Sequence, residues 1–205
     1  MIKHDNFIIV ISAPSGAGKS TLVRKLLEED KNLNLSISAT TRKPRGEEKD
    51  GIDYNFLTKE EFENKIKSND FLEYAQVFDN YYGTLKSEVE KKWNNNIDVV
   101  LDIDYQGAEN IIKKIDHKRL LTIFILPPSL KELKNRLITR NENTIEEIEK
   151  RLNKAKLEIS HCYNYDFVVI NDDLESAFNE IKSLILTKRK ENINKEALKN
   201  FIENL

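Results

Sequence analysis

Five apolar residues, Phe7 to Ile11 (FIIVI), pass directly into SAPSGAGKST, Ser12 to Thr21, and this junction restricts the fold more than any other stretch of the chain. A continuous run with β-branched members is the pattern of a strand covered on both faces, the condition of a central strand in an α/β sheet. Beyond the loop, Leu22, Val23, Leu26 and Leu27 recur at helical spacing until EEDK ends the element. Strand, glycine-rich loop and helix in this order form a grip for phosphate. Gly16 and Gly18 permit backbone conformations that a side chain forbids, the N–H groups from Ser15 to Lys19 can turn inward, and the helix adds its positive end. In such a loop Lys19 bridges the β and γ phosphates of a nucleotide and the Ser20 hydroxyl binds Mg²⁺. Ala13, Pro14 and Ala17 complete the loop and Thr21 follows it. The strict pattern begins with Gly where Ala13 stands, but a small residue meets a demand for close packing. The plainer alternative is a Gly/Ser turn between strand and helix.

Three further runs predict strands buried in the same sheet: Asp98 to Ile103 (DVVLDI), Leu120 to Leu126 (LLTIFIL) and Phe167 to Ile170 (FVVI). Helical patterns lie between them. Ser129 follows Pro127-Pro128 as a cap, and a charged helical pattern runs from about Ile145 to His161. Strands alternating with helices predict a three-layer α/β fold around a mostly parallel sheet. Between residues 36 and 56 the texture becomes short alternating pieces around KPRGEEKDG, a small β-rich insert. Thr58 to Glu61 reads as a capping box, and a second insert helix is expected over Leu85 to Trp93. In the tail, Ala177, Phe178, Ile181, Leu184 and Ile185 form one stripe and Ala197, Leu198, Phe201, Ile202 and Leu205 another, both expected to be packing faces.

The 205 residues suffice for one substantial core with inserts. With 33 Lys and Arg against 35 Asp and Glu, no global positive field draws nucleic acid or an anionic membrane, so any anion site is local. Cys162 is the single cysteine, which removes intrachain disulfides and Cys-based zinc sites and fits a reducing compartment. No run approaches the length of a membrane span, and MIKHDN leads directly into a strand-like run. A cytoplasmic protein is expected.

A second nucleotide element belongs on a neighbouring strand: a carboxylate able to organise hydrated Mg²⁺. VVLDID supplies Asp102 and Asp104, two apart and hence on one side of a strand's end, where they can serve one cleft or merely face solvent. The basic turn TRKPR, with Arg42 and Arg45, suits an anion but also suits a plain surface turn. The histidines His4, His117 and His161 form no catalytic or metal pattern.

Taken with the loop APSGAGKS, the blocks SATTRKPRGEEKDGIDY, EYAQVFDNYYGT and LDIDYQG closely resemble the guanylate kinases, over about Phe7 to Leu186. The resemblance implies a P-loop kinase that moves the γ-phosphoryl group of ATP to GMP, and to dGMP alongside it, with Mg²⁺ as cofactor. It assigns Ala13 to Thr21 and Asn171 to ATP. It places Arg42, Arg45, Tyr54 and Tyr82 around the acceptor phosphate, and Ser38, Thr84, Glu73 and Asp104 at guanine. The chemistry agrees, since guanidinium forks match phosphate oxygens and a carboxylate matches the adjacent N1–H and 2-amino donors of guanine. Lys19, Arg136, Arg140 and Arg151 would neutralise charge on the transferring group, and Ser20 with Asp102, the latter through water, would hold the metal. Ordinary helix-surface pairing with Glu132, Glu147 or Glu158 is the alternative for the arginines, and a capping turn is the alternative for Asn171-Asp172-Asp173.

The implied domain spans 5–187, with core segments 5–36, 97–129 and 163–187, a GMP-binding insert 37–96 and a mobile helical lid 130–162; 188–205 is a helical tail. Departures from the family are Thr84 where Ser is frequent, GEEKDG without a Pro-Gly pair, and Thr139 and Asn141 flanking Arg140. A kinase for another monophosphate, a scaffold module of the same fold and a GTP-hydrolysing switch are rivals. The guanine reader, the intact GAGKS and the lack of an Asn-Lys-x-Asp motif argue against them in turn. Monomer and homo-oligomer both remain open.

Overall fold

A computed structural model describes residues 3–77, 79–139 and 144–204. The chain order is β1 (Ile8–Ser12), α1 (Lys19–Glu29), β2 (Leu33–Leu35), β3 (Ala39–Thr40), β4 (Asn55–Phe56), α2 (Lys59–Lys67), β5 (Phe71–Val77), β6 (Asn80–Leu85) and α3 (Lys86–Trp93). It continues with β7 (Asp98–Asp102), α4 (Tyr105–Ile112), β8 (Leu120–Leu126), α5 (Leu130–Thr139), α6 (Ile145–Ser160), β9 (Phe167–Ile170), α7 (Leu174–Glu191) and α8 (Lys195–Glu203).

Two sheets result. The central one has the order β2-β7-β1-β8-β9 and is parallel throughout, with Ile11 beside Asp102 on one side and Ile123 on the other. Side chains of β1 alternate between two cores. Ile9 and Ile11 pack with Leu22 and Leu26 of α1 and Phe178 and Ile181 of α7, whereas Ile8 and Val10 pack with Val89 of α3 and Ala108 and Ile111 of α4. Burial on both faces is why these strands read as unbroken apolar runs, and three layers follow from it. The second sheet has the order β4-β3-β6-β5, with the pairs β3–β6 and β5–β6 antiparallel and β3–β4 parallel. Phe62 of α2 stacks on Phe71 and Tyr81 to close its small core.

Local chemistry sets the helix ends. Thr58 and Glu61 form a reciprocal capping box on α2, Thr144 and Glu147 form another on α6, and the Ser129 hydroxyl accepts from the Glu132 N–H at 3.0 Å. Two expectations are corrected. FVVI is an edge strand rather than a strand covered on both faces: β9 ends the sheet order, and Val169 is buried while Phe167, Val168 and Ile170 are exposed. The stripe of α8 packs only at its start: Ala197 and Leu198 are half-buried, none of its described side chains is fully buried, Phe201 and Ile202 are more than half exposed, and Leu205 lies outside the described residues. Both sheet faces are already covered, and the turn before α8 is held by the N-terminal segment through Asn194 and Ile193.

Candidate functional site

The phosphate loop lies at the carboxyl end of β1. Gly16 and Gly18 have φ of +96° and +95°, the left-handed region where a side chain is strained. A Cβ at Gly18 would strike the Asn171 carboxamide, and one at Gly16 would press on Leu137 at 3.0 Å. Ala17 and Pro14 are buried, Ser15 and Ser20 exposed. Asn171, itself buried, donates from Nδ2 to the Ala17 carbonyl at 2.7 Å, so its side chain clamps the loop from behind. Ala13 packs against the core and lines the cleft beside the loop, which fits the demand for a small residue there.

Lys19 opens α1, and its ammonium is in direct contact with the carboxylate of Asp102 at the end of β7. Burial pushes the Lys19 amine down to about 8, while Asp104 and Glu158 oppose the shift, so it stays charged at neutral pH. The Ser20 hydroxyl beside Lys19 and the Asp102 carboxylate are hard oxygen donors. They fit a Mg²⁺ that keeps water and phosphate ligands rather than a full protein cage. Among the described residues no group of three or more His, Cys, Asp or Glu could hold a metal.

From this point a cavity of about 210 Å³ runs toward the second sheet, lined by Lys19, Asp102 and Asp104 at one end and by Ser38, Tyr54, Glu73 and Tyr82 at the other. Asp102 and Asp104 therefore share one cleft. Asp104 also caps α4, accepting from the Gly107 N–H at 3.0 Å. Glu73 is only 2% exposed and accepts the Thr84 hydroxyl at 2.8 Å. Burial pushes its carboxyl up to about 7, with Asp104 adding to the rise and Thr84 and Lys114 resisting it. Gly107 leaves room for it, because a Cβ there would lie 2.7 Å from Glu73 Oε2.

Farther along, Arg42 packs its guanidinium 5.2 Å from the Tyr54 ring, and Tyr54 meets Tyr82 edge-on at 6.2 Å. Glu48 takes Arg42 Nη1 and Nη2 at 2.8 and 3.0 Å and the Arg45 N–H at 2.7 Å. This raises the Arg42 pKa further. Arg45 is exposed beside it.

The helical pair α5–α6 covers the outer side of the loop. Arg136 donates to the Asn171 carbonyl at 3.1 Å and pairs with Glu132 at 3.1 Å, so the helix-surface pairing weighed from sequence does occur, beside the loop. A hollow of about 430 Å³ between Gly16, Gly18 and Arg136 lies on this side. Arg151 reaches the Ser15 hydroxyl at 3.5 Å. Arg140, with its neighbour Asn141, lies outside the described residues. A hollow of about 1090 Å³ beside His4, Trp93 and Arg119 contains none of the site residues.

Two residues at the site were not singled out from the sequence: Glu48 and Gly107. Glu48 sits in the basic turn, three residues after Arg45, and that spacing was the available signal. Glu158, weighed from sequence as a pairing partner for the arginines, lies instead 3.5 Å from Lys154 Nζ and is 8% exposed.

Fold and site together define a phosphate-loop α/β protein in which a glycine-rich donor-type loop and an arginine–tyrosine cluster face each other across a carboxylate-lined cleft. A family model described as guanylate kinase matches residues 6–188. A guanylate kinase of Rickettsia bellii is 50% identical over 190 residues, 93% of this chain and 98% of the relative, and one of Wolbachia pipientis is 45% identical over 98% of this chain and 96% of its own. The crystal structure of guanylate kinase from Anaplasma phagocytophilum superposes with a TM-score of 0.78 at 33% identity, covering 97% of this chain and 96% of that one. The chain belongs to the guanylate kinase family.

Proposed function

We propose that this protein is an ATP:GMP phosphotransferase: a phosphate oxygen of GMP bonds to the γ-phosphorus of ATP, the bond to the β–γ bridging oxygen breaks, and ADP and GDP leave. The observation that carries the reading is Glu73, a buried carboxylate that lines one cavity with Tyr54 and Tyr82, while Arg42 packs against the Tyr54 ring with Arg45 three residues on, so that one ligand can meet the carboxylate with its base and the cluster with its phosphate. Guanine offers two adjacent donors to such a group, whereas adenine offers a lone pair and leaves the carboxylate unpaired. Rejection on the order of 10⁴-fold is attainable this way.

The acceptor is already an anion, so no general base is required and the work is positioning and charge neutralisation. Lys19 and the loop amides hold the β and γ phosphates, Arg136 and Arg151 approach from the helical pair, and Ser38, Asp104 and Thr84 frame the base, Thr84 by orienting Glu73. Mg²⁺, held by Ser20 and Asp102, supplies further neutralisation of the phosphates when bound. The segments 37–96 and 130–162 then act as acceptor insert and donor lid, closing to exclude water. Place of action is the cytoplasm, and dGMP is a second acceptor.

The test is ADP release with MgATP against AMP, GMP, dGMP, CMP and UMP. GMP should exceed AMP by at least about 100-fold in kcat/KM; equal use of AMP would sink the reading.

A further inference from the structure

Glu109 of α4 and His161 at the end of α6 make a contact that the proposed chemistry leaves unused. The Glu109 carboxylate accepts His161 Nδ1–H at 2.7 Å and Asn164 Nδ2–H at 3.1 Å, and the imidazole stacks on the Tyr105 ring with centroids 4.0 Å apart and planes inclined by 28°. His161 is the C-cap of α6, and directly after it Cys162 and Tyr165 are buried with Ala108 and Ile111 of α4 in one core. The helical pair α5–α6 has a core of its own, built from Leu133, Leu137, Ile148 and Ala155. The pair is therefore a body in its own right, and His161 is where α6 meets the core of the molecule.

The same helix holds the other side of the cleft. Asn110 Nδ2 donates to the Tyr74 carbonyl at 3.2 Å, and Lys114 Nζ, just past the end of α4, donates to the Leu72 carbonyl at 3.0 Å. These grips fall on β5 at the residues on either side of Glu73, Gly107 lies against the Glu73 carboxylate, and Asp104 is the N-cap of the helix. Insert and helical pair are thus mounted on one short helix, the insert through Asn110 and Lys114 and the pair through Glu109. We propose that Glu109 and His161 are positioning residues: with Tyr105 they fix the root of α6 on the helix that floors the base site. A base held at Glu73 and Asp104 then sets α4, the root of α6 and, through it, the reach of Arg151 toward the loop. The inference rests on the reading of the cavity as the GMP site. The contact is a pivot that persists while insert and lid close about it, and its consequence is reciprocal coupling, in which acceptor and donor each raise the affinity for the other.

The measurement is calorimetric titration of MgADP with and without saturating GMP, a pair that has no γ-phosphoryl group to transfer. In the unsubstituted protein GMP should tighten MgADP binding at least about fivefold, and MgADP should tighten GMP by the same factor. Glu109→Ala removes the acceptor that His161 and Asn164 share. The coupling factor should then fall to within about twofold of unity, while each nucleotide alone binds within about twofold of the unsubstituted protein. At saturation kcat should drop on the order of tenfold, the cost of a misplaced lid. Glu109→Gln keeps an acceptor oxygen in the same place and should bring the factor back to within about twofold of the original. His161→Phe keeps a ring on Tyr105 and loses the hydrogen bond, so it should lose the coupling as Glu109→Ala does, and it decides the matter if Glu109→Ala does not fold. No coupling in the unsubstituted protein, an undiminished factor in Glu109→Ala or His161→Phe, or a Glu109→Gln as deficient as Glu109→Ala overturns the inference. Failure of the GMP reading looks different, since GMP alone would then not bind to the unsubstituted protein.

Discussion

Glu73 is placed under two opposed demands, burial and ionisation, and both can be measured at that one residue. Its carboxyl is raised to about 7 by desolvation, yet the base-reading role proposed for it requires the ionised form to accept the donors of guanine. GMP therefore has to expel the proton from whatever fraction is neutral, and KM for GMP should rise as pH falls from 8 to 6, approaching about tenfold per unit below 7. That window stays above the second ionisation of a phosphate monoester, near 6. In Glu73→Gln the same profile should be flat, with KM for GMP raised about 10- to 100-fold through loss of a charged hydrogen bond and KM for ATP unaltered. Steady-state kinetics of both proteins decide it, and an unaltered KM for GMP removes Glu73 from base reading. Stability should move the other way. The folded pKa lies above the ordinary 4.5, so the folded state holds the proton more tightly, and stability contributed below 4.5 is lost as pH rises to about 7. The loss is on the order of 3 kcal/mol, and Glu73→Gln should therefore melt higher than the unsubstituted protein at pH 8.

The phosphate loop takes its shape from an element distant in sequence, because Asn171, just after β9, supplies the hydrogen bond that its carbonyl at Ala17 needs. Asn171→Ala strands that carbonyl at a cost of about 1–3 kcal/mol. Denaturant unfolding should show the loss, and KM for ATP should rise with KM for GMP within about twofold; equal changes in both would mean that the damage is general. Gly18→Ala should harm the same function by another route, forcing a side chain into the left-handed region and against Asn171. The elements around the loop were largely legible in sequence. LLTIFIL and DVVLDI mark strands because burial on both faces demands unbroken apolar residues, and the capping box at Thr58 carries its own local signature. The hairpin β5–β6 did not announce itself, because Glu73 puts a charged residue on its buried face. FVVI misled because composition reports apolar character and not position in the sheet order, and α8 misled because a stripe says nothing of whether a face remains to receive it. Of the candidate site, residues suited to phosphate and base could be named by type and spacing, whereas Glu48 acts through contacts with Arg42 and Arg45 that exist only once the chain has folded.

Across the whole molecule, function and stability occupy opposite ends of the parallel sheet. The carboxyl ends of β1 and β7 carry the loop and Asp102, while the first residue of β7, Asp98, is fully buried at the other end. There it accepts Arg189 Nε at 2.8 Å, His4 at 3.0 Å and the Phe7 N–H at 3.3 Å, and Arg189 continues to Asp30 at 2.6 Å. This network joins the N-terminal segment, the end of α1, β7 and the last turn of α7, which ties α1 and α7 to the sheet. A charge with so little access to water depends on its partners, and removing one partner from such a pair costs about 3–5 kcal/mol. Arg189→Met should therefore lower stability by that amount in urea unfolding, while KM for ATP and for GMP stay within about twofold at temperatures where the variant is folded. The double substitution Asp98→Asn with Arg189→Met should be less damaging than the sum of the two single ones, because neither charge is then left alone. Additive losses would show that the two residues act separately, and a shifted KM for either substrate would show that the two ends of the sheet are coupled.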